Sequence, residues 1–143
     1  MLDEASDELE MIQGEEALSA DVMRIRISLY HEAKHWDLLA AVASALTRLA
    51  PKEEQGWISW ALALRKLKGV SEAQKVLSKA IPLHGDTCAV LHYNLACYAC
   101  LLGNIEEAKR RLSTACKMDP HFKASALDDP DLQAMWDQIS TIE

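Results

Sequence analysis

The sequence is short of helix breakers and has no apolar run long enough to cross a bilayer. Five Gly and four Pro among 143 residues leave little punctuation. Ala and Leu, both good helix propagators, dominate the apolar set. The longest apolar stretch, Leu38 to Leu46, is about half what a spanning helix needs, so no membrane insertion is expected. Residues 1–18 lack any base and carry seven acids (Asp3, Glu4, Asp7, Glu8, Glu10, Glu15, Glu16). A secretory signal needs a basic start followed by an apolar run, so none is expected and a cytoplasmic location follows. In that compartment Cys88, Cys97, Cys100 and Cys116 should be reduced thiols.

The net charge of −7 is unevenly placed. The acidic start is matched by an acidic end, 128–143, with five acids and no base. The body between them holds 15 bases against 10 acids. Nucleic-acid binding needs a concentrated basic face, which this dilute excess does not supply.

Residues 1–18 combine high charge with weak periodicity and are expected to be disordered or a loosely held helix. From Ser19 onward the pattern is regular. Ser19 should cap a helix to about Ala33, and a second covers about Asp37 to Ala50 before Pro51. Trp57, Trp60, Ala61, Leu64 and Leu67 share one face of a third helix, closed by Gly69. Ser71 and Gln74 form a capping box for a fourth, with Ala73, Val76, Leu77, Ala80 and Ile81 inward and Pro82 as its stop. A fifth follows Asp86 or Thr87 and closes at Gly103; a sixth opens at Asn104 and stops at Asp119-Pro120. Asp129-Pro130 should open a seventh, with Leu132, Met135, Trp136 and Ile139 on one side.

These helices repeat. Trp57-x-x-Trp60-Ala61-x-x-Leu64, Ala73-x-x-x-Leu77-x-x-Ala80 and Gly85 recur 35 residues later as His92-x-x-Leu95-Ala96-x-x-Ala99, Ala108-x-x-x-Leu112-x-x-Ala115 and Pro120. A worn copy, Met23-x-x-Arg26-Ile27-x-x-Tyr30, Leu39-x-x-x-Ala43-x-x-Leu46 and Pro51, lies 34 residues upstream. The pattern resembles tetratricopeptide repeats, 34-residue helix–turn–helix units with small residues where helices cross and large ones between layers. The end of the chain, from Tyr93-Asn94-Leu95-Ala96-Cys97 to Trp136, resembles the last repeat and cap of many bacterial members. The resemblance implies an all-α fold, an α-solenoid of three such repeats at about 20–53, 54–88 and 89–122, with a capping helix at about 129–142. The domain would span 19–143, with 1–18 outside it.

The same resemblance implies a non-catalytic scaffold that binds a protein or peptide in a concave groove lined by the first helix of each pair. Arg24, Ile25 and Ser28 would line it from the first repeat; Ile58, Ser59, Leu62, Arg65 and Lys66 from the second; Val90, Tyr93, Asn94, Cys97 and Leu101 from the third. Such a mixture of apolar patches, cations and amides suits a peptide with a few acidic groups. Chaperone-binding members grip a terminal carboxylate with Lys, Arg and Asn at positions that here hold Arg24, Ser28, Ser59, Val90 and Asn94. Only the first keeps its charge, so that clamp is not expected. The acidic residues 3–16 could screen the Arg24, Arg65 and Lys66 surface.

Two short motifs offer rival chemistry. His31-Glu32-Ala33-Lys34-His35 spells the zinc-protease sequence H-E-x-x-H, but it falls at an inter-helix turn. Cys97-x-x-Cys100 has redox or metal spacing, yet it sits mid-helix with no second pair to complete a zinc site. Both are better read as ordinary packing and turn residues, so no metal, cofactor or catalytic residue is expected. Self-association, as a homodimer through an uncovered end face, is a further alternative.

Overall fold

A computed structural model of the chain describes residues 19–142, and the acidic segment 1–18 lies outside them. All regular structure among the described residues is helical. No helix among them is long and apolar enough to cross a membrane. The residues form two compact units, one ending at Gly69 and the other starting at Val70. That boundary falls between the two helices of the second expected repeat.

The first unit contains α1 (Ala20–Glu32), α2 (Trp36–Leu49) and α3 (Glu54–Leu67). Ser19 caps α1 as its residue type suggests, its hydroxyl accepting from the Val22 N–H at 3.2 Å. Lys34 adopts a left-handed conformation, φ 57°, and reverses the chain into α2. Consecutive helices joined by such short turns must fold back on each other, and α2 packs on both neighbours. The core joins Met23, Ile27 and Tyr30 of α1 to Leu39, Ala43 and Leu46 of α2, with Ala63 of α3. Ile27 and Leu39, which depart from the small residues of the repeat pattern, are nonetheless buried. Gly56 lets α3 approach α2 closely: a Cβ there would lie 3.2 Å from the Thr47 methyl.

The second unit contains α4 (Val70–Ser78), α5 (Ile81–His84), α6 (Ala89–Leu101), α7 (Ile105–Met118), α8 (His121–Asp128), a 3-10 helix (Pro130–Met135) and α9 (Trp136–Ile139). Nine of the thirteen residues of α6 are buried, which makes it the central helix of this unit. It packs against α4, α7 and the 3-10 helix. Asn104 caps α7 as expected, accepting from the Glu107 N–H at 3.3 Å. The Glu107 carboxylate does not complete a reciprocal box. It bonds Arg110 at 2.7 Å and Arg111 at 2.9 Å, while the Asn104 N–H goes to the Ala99 carbonyl.

Three details differ from the sequence reading. Ser71 lies inside α4, which begins at Val70, so it is not the capping residue. Pro82 does not end that helix. The chain has already tightened, with N–H groups of Lys79 and Ala80 bonding three residues back, and Pro82 occupies the first turn of α5, where a missing N–H costs nothing. Asp119-Pro120 stops α7 as expected, since that helix ends at Met118, and Pro120 then also opens α8 with φ −59°. The segment expected as one helix from Asp129 is a 3-10 helix followed by a single α-turn. Of its predicted inward residues, Leu132, Met135 and Ile139 are fully buried and Trp136 packs half-buried against the same core.

Gly69 and Gly103 close α3 and α6 with φ 112° and 84°. A Cβ on either would touch nothing within 4 Å, so only backbone strain opposes a side chain. Gly103→Ala should therefore lower stability by about 1–2 kcal/mol, the cost of left-handed backbone for an L-residue. Urea unfolding checks this, and an unchanged midpoint would mean that the turn relaxes freely.

Candidate peptide-binding groove

In the first unit a surface cavity of about 260 Å³ lies between α1 and α3, lined by Ile27, Ser28, His31, Gln55, Ile58, Ser59 and Leu62. Helical spacing explains the grouping. Gln55, Ile58, Ser59 and Leu62 recur at i, i+3, i+4 and i+7 on α3, and Ile27 and His31 are one turn apart on α1. The floor is apolar, from Ile27, Ile58 and Leu62. Two hydroxyls, one amide and one imidazole surround it. Side chains of this kind can hold an apolar anchor and hydrogen-bond the main chain that carries it.

Four of the residues assigned from sequence, Ser28, Ile58, Ser59 and Leu62, converge here. Ile27, His31 and Gln55 were missed, although each lies one residue or one turn from an assigned position. Arg24 and Ile25 do not line the cavity. Ile25 is 51% exposed. Arg24 is held by the carboxylates of Glu53 and Asp21. Those hydrogen bonds, Glu53 first, push its already high pKa further up. The ammonium of Lys66 lies 5.7 Å from the ring centre of Trp36, and Arg65 is half-buried.

In the second unit, Val90 and Leu101 are exposed and Asn94 is half-buried. Tyr93 and Cys97 are buried beneath the C-terminal segment rather than open to a ligand. The Tyr93 ring stacks on Phe122 with centroids 4.7 Å apart, and its hydroxyl donates to Asp129 Oδ2 at 2.7 Å. The Cys97 thiol is 3.7 Å from the same oxygen. Burial, reinforced by the bond to Asp129, pushes the Tyr93 pKa far above its ordinary value. The reason for the cover is general: a terminal helix pair presents an apolar side that must be shielded from water.

Neither rival chemical motif is assembled. His31 and Glu32 end α1, Lys34 turns the chain, and His35 stands immediately before α2. The two imidazoles therefore do not share one helical face as a zinc-protease pair must. Each instead meets a neighbouring ring, His31 edge-on to Trp36 at 6.0 Å and His35 tilted against Tyr30 at 6.4 Å. The four cysteines are buried and none is in a disulfide. Burial pushes the Cys100 and Cys116 thiols up, away from the reactive thiolate. Among the described residues, the one group of three potential metal ligands with atoms within 4.8 Å is Cys97, Asp129 and Asp131. Asp129 is already engaged there: Oδ2 accepts from Tyr93, and Oδ1 accepts from the Asp131 N–H at 3.0 Å.

No protein-family model matches the chain, and no curated protein matches it. Solved structures do. The structure described as "MamA MSR-1 C2" aligns at a TM-score of 0.69 and 19% identity, over 84% of this chain and 68% of that one. The "TPR2B-domain:pHsp70-complex of yeast Sti1" aligns at 0.68 and 18% identity, over 87% of this chain and 98% of that one. The fold is thus that of a tetratricopeptide-repeat-like helical protein.

Proposed function

We propose that this chain is a non-catalytic protein-interaction module that holds a peptide segment in the groove between α1 and α3. The observation that carries this reading is the convergence of Ser28, Ile58, Ser59 and Leu62 on one cavity, joined by Ile27, His31 and Gln55. The groove floor has no charged side chain, and Arg24 is committed to Glu53 and Asp21. The bound segment therefore anchors through an apolar side chain, and any acidic groups it carries meet the rim. A tetratricopeptide-like fold supports the interaction role, since such repeats present extended binding surfaces. The solved Sti1 domain, described as a complex with pHsp70, is one case. The placement of His31 and His35 on either side of the Lys34 turn, and the burial of Cys97 and Cys100, support the non-catalytic part.

Selection of a displayed peptide library on the full chain tests this. Selected peptides should share an apolar anchor. Ile58→Glu should weaken them about tenfold or more, because a carboxylate then faces a buried apolar group. Leu127→Glu, made on an exposed residue of the other unit that was never assigned to the groove, should leave their affinity unchanged. Equal binding to wild type and Ile58→Glu would remove the groove from consideration.

A further inference from the structure

The second unit buries an imidazole whose two ring nitrogens are both committed. His92 lies on α6 and is 5% exposed. Its Nε2 stands 2.7 Å from the Gly85 carbonyl oxygen, and its Nδ1 stands 3.2 Å from an Nη of Arg111 on α7. These partners fix the tautomer. A carbonyl oxygen only accepts, so Nε2 carries the hydrogen and donates it. A guanidinium only donates, so Nδ1 must offer its lone pair. The ring fits this site as the neutral Nε2–H form.

A chain of polar contacts runs through it. Arg111 Nε donates to Glu107 at 2.9 Å, another Arg111 nitrogen donates to His92, and His92 donates to Gly85. The chain ties α7 to α6 and to the turn that leads into α6. That turn is itself closed by the Thr87 and Cys88 N–H groups, which bond the His84 carbonyl. The Arg111 side chain is only 16% exposed, so water and salt screen it little. Charged groups on the other elements around α6 lie elsewhere. α4 turns Ala73, Val76 and Leu77 inward, its Glu72 and Lys75 pair with each other at 3.3 Å, and Lys79 is exposed. The Asp131 carboxylate of the 3-10 helix bears on Tyr93 and Cys100, each about a quarter-turn round α6 from His92. In the turn, Asp86 is exposed and His84 is a second buried imidazole.

We propose that His92 is an acid-sensitive latch: a proton arriving at Nδ1 breaks the bond from Arg111 and weakens the hold of α6 on α7 and on the 84–88 turn. The added N–H would face the N–H groups of the guanidinium, donor against donor and cation against cation. Proton uptake and the folded contact therefore exclude each other. By linkage, the contact contributes fully above about pH 6.5, where an ordinary imidazole is neutral, and is lost as the pH falls below it. Glu107 does not share this window. Burial pushes its carboxyl up, but the bonds from Arg110 and Arg111 outweigh burial and hold it below the usual carboxylate range. The proposal stands independently of any peptide in the α1–α3 groove.

Nitrogen-15 NMR of the imidazoles in the full chain is the first test. His92 should appear as the Nε2–H form near neutral pH, and an Nδ1–H ring there would overturn the proposal. Urea unfolding against pH is the second. From about pH 7.5 to about 5.5 the wild-type folding equilibrium should fall about fivefold or more, within the roughly tenfold per pH unit that one linked proton allows. His92→Gln, whose amide still donates and accepts but does not titrate, should remove most of that fall. Arg111→Gln, which replaces the cation by an amide, should shrink it too, and supplies the comparison if His92→Gln does not fold. His84→Gln should leave the fall in place. A fall of equal size in wild type, His92→Gln and Arg111→Gln would overturn the latch, and so would one that disappears only with His84→Gln.

Discussion

Leu112→Ala should destabilise the protein by about 2–5 kcal/mol, the range for truncating a fully buried leucine. Leu112 is 0% exposed and belongs to the cluster that joins α6, α7 and the C-terminal segment. Its neighbours there include Ala96, Ala99, Ala108 and Ala115, which have no side chain to swing into the space left behind. A cavity that cannot collapse loses both the transfer energy of the deleted atoms and their van der Waals contacts. Against the roughly 0.05–0.15 kcal/mol per residue that small domains typically retain, this is a large share of the total. Leu101→Ala is the matched control: the same chemistry on a side chain 43% exposed. It should shift stability by no more than about 0.5–1 kcal/mol. Urea midpoints for the two variants measure the contrast, and comparable losses would mean that burial does not set the energetics of this unit.

The alanines that make Leu112 costly also made the fold legible. A period of 34 or 35 residues, with small side chains recurring at the expected crossings and large ones between them, pointed to a helical fold, and those residues fill the core of each unit. Positions such as Ser19, Gly69, Gly103 and Asn104 act locally, so their residue types were enough to place them. Proline was harder to read. Pro82 and Pro120 are both compatible with a helix end and with a helix start, and only the surrounding chain decides between them. The Leu132, Met135 and Ile139 stripe was visible, but an apolar spacing of three to four residues does not distinguish α from 3-10 geometry. At the groove, the family resemblance named Ser28, Ile58, Ser59 and Leu62, which line one cavity. It could not show that Tyr93 and Cys97 lie beneath Asp129 and Phe122. That contact joins residues more than 25 positions apart, and depends on where the C-terminal segment travels.

Asp129→Ala should cost about 2–4 kcal/mol, because this carboxylate closes two local structures at once. Oδ1 accepts from the Asp131 N–H and starts the 3-10 helix, a capping role usually worth about 1 kcal/mol. Oδ2 accepts from the Tyr93 hydroxyl, whose residue is only 8% exposed. Removing the acceptor leaves a shielded hydroxyl without its partner, which costs about 1–3 kcal/mol more. Tyr93→Phe removes donor and need together, so it should cost only about 0.5–1.5 kcal/mol and keep the stack on Phe122. The two changes share one bond, so their effects should not add. In the Tyr93→Phe background, Asp129→Ala should cost little beyond the cap. Chemical denaturation of the wild type, both single variants and the double variant completes the cycle. Simple additivity would mean that the hydroxyl finds water once Asp129 is gone, and that the cover over α6 is held by Phe122, Leu132 and Met135 alone.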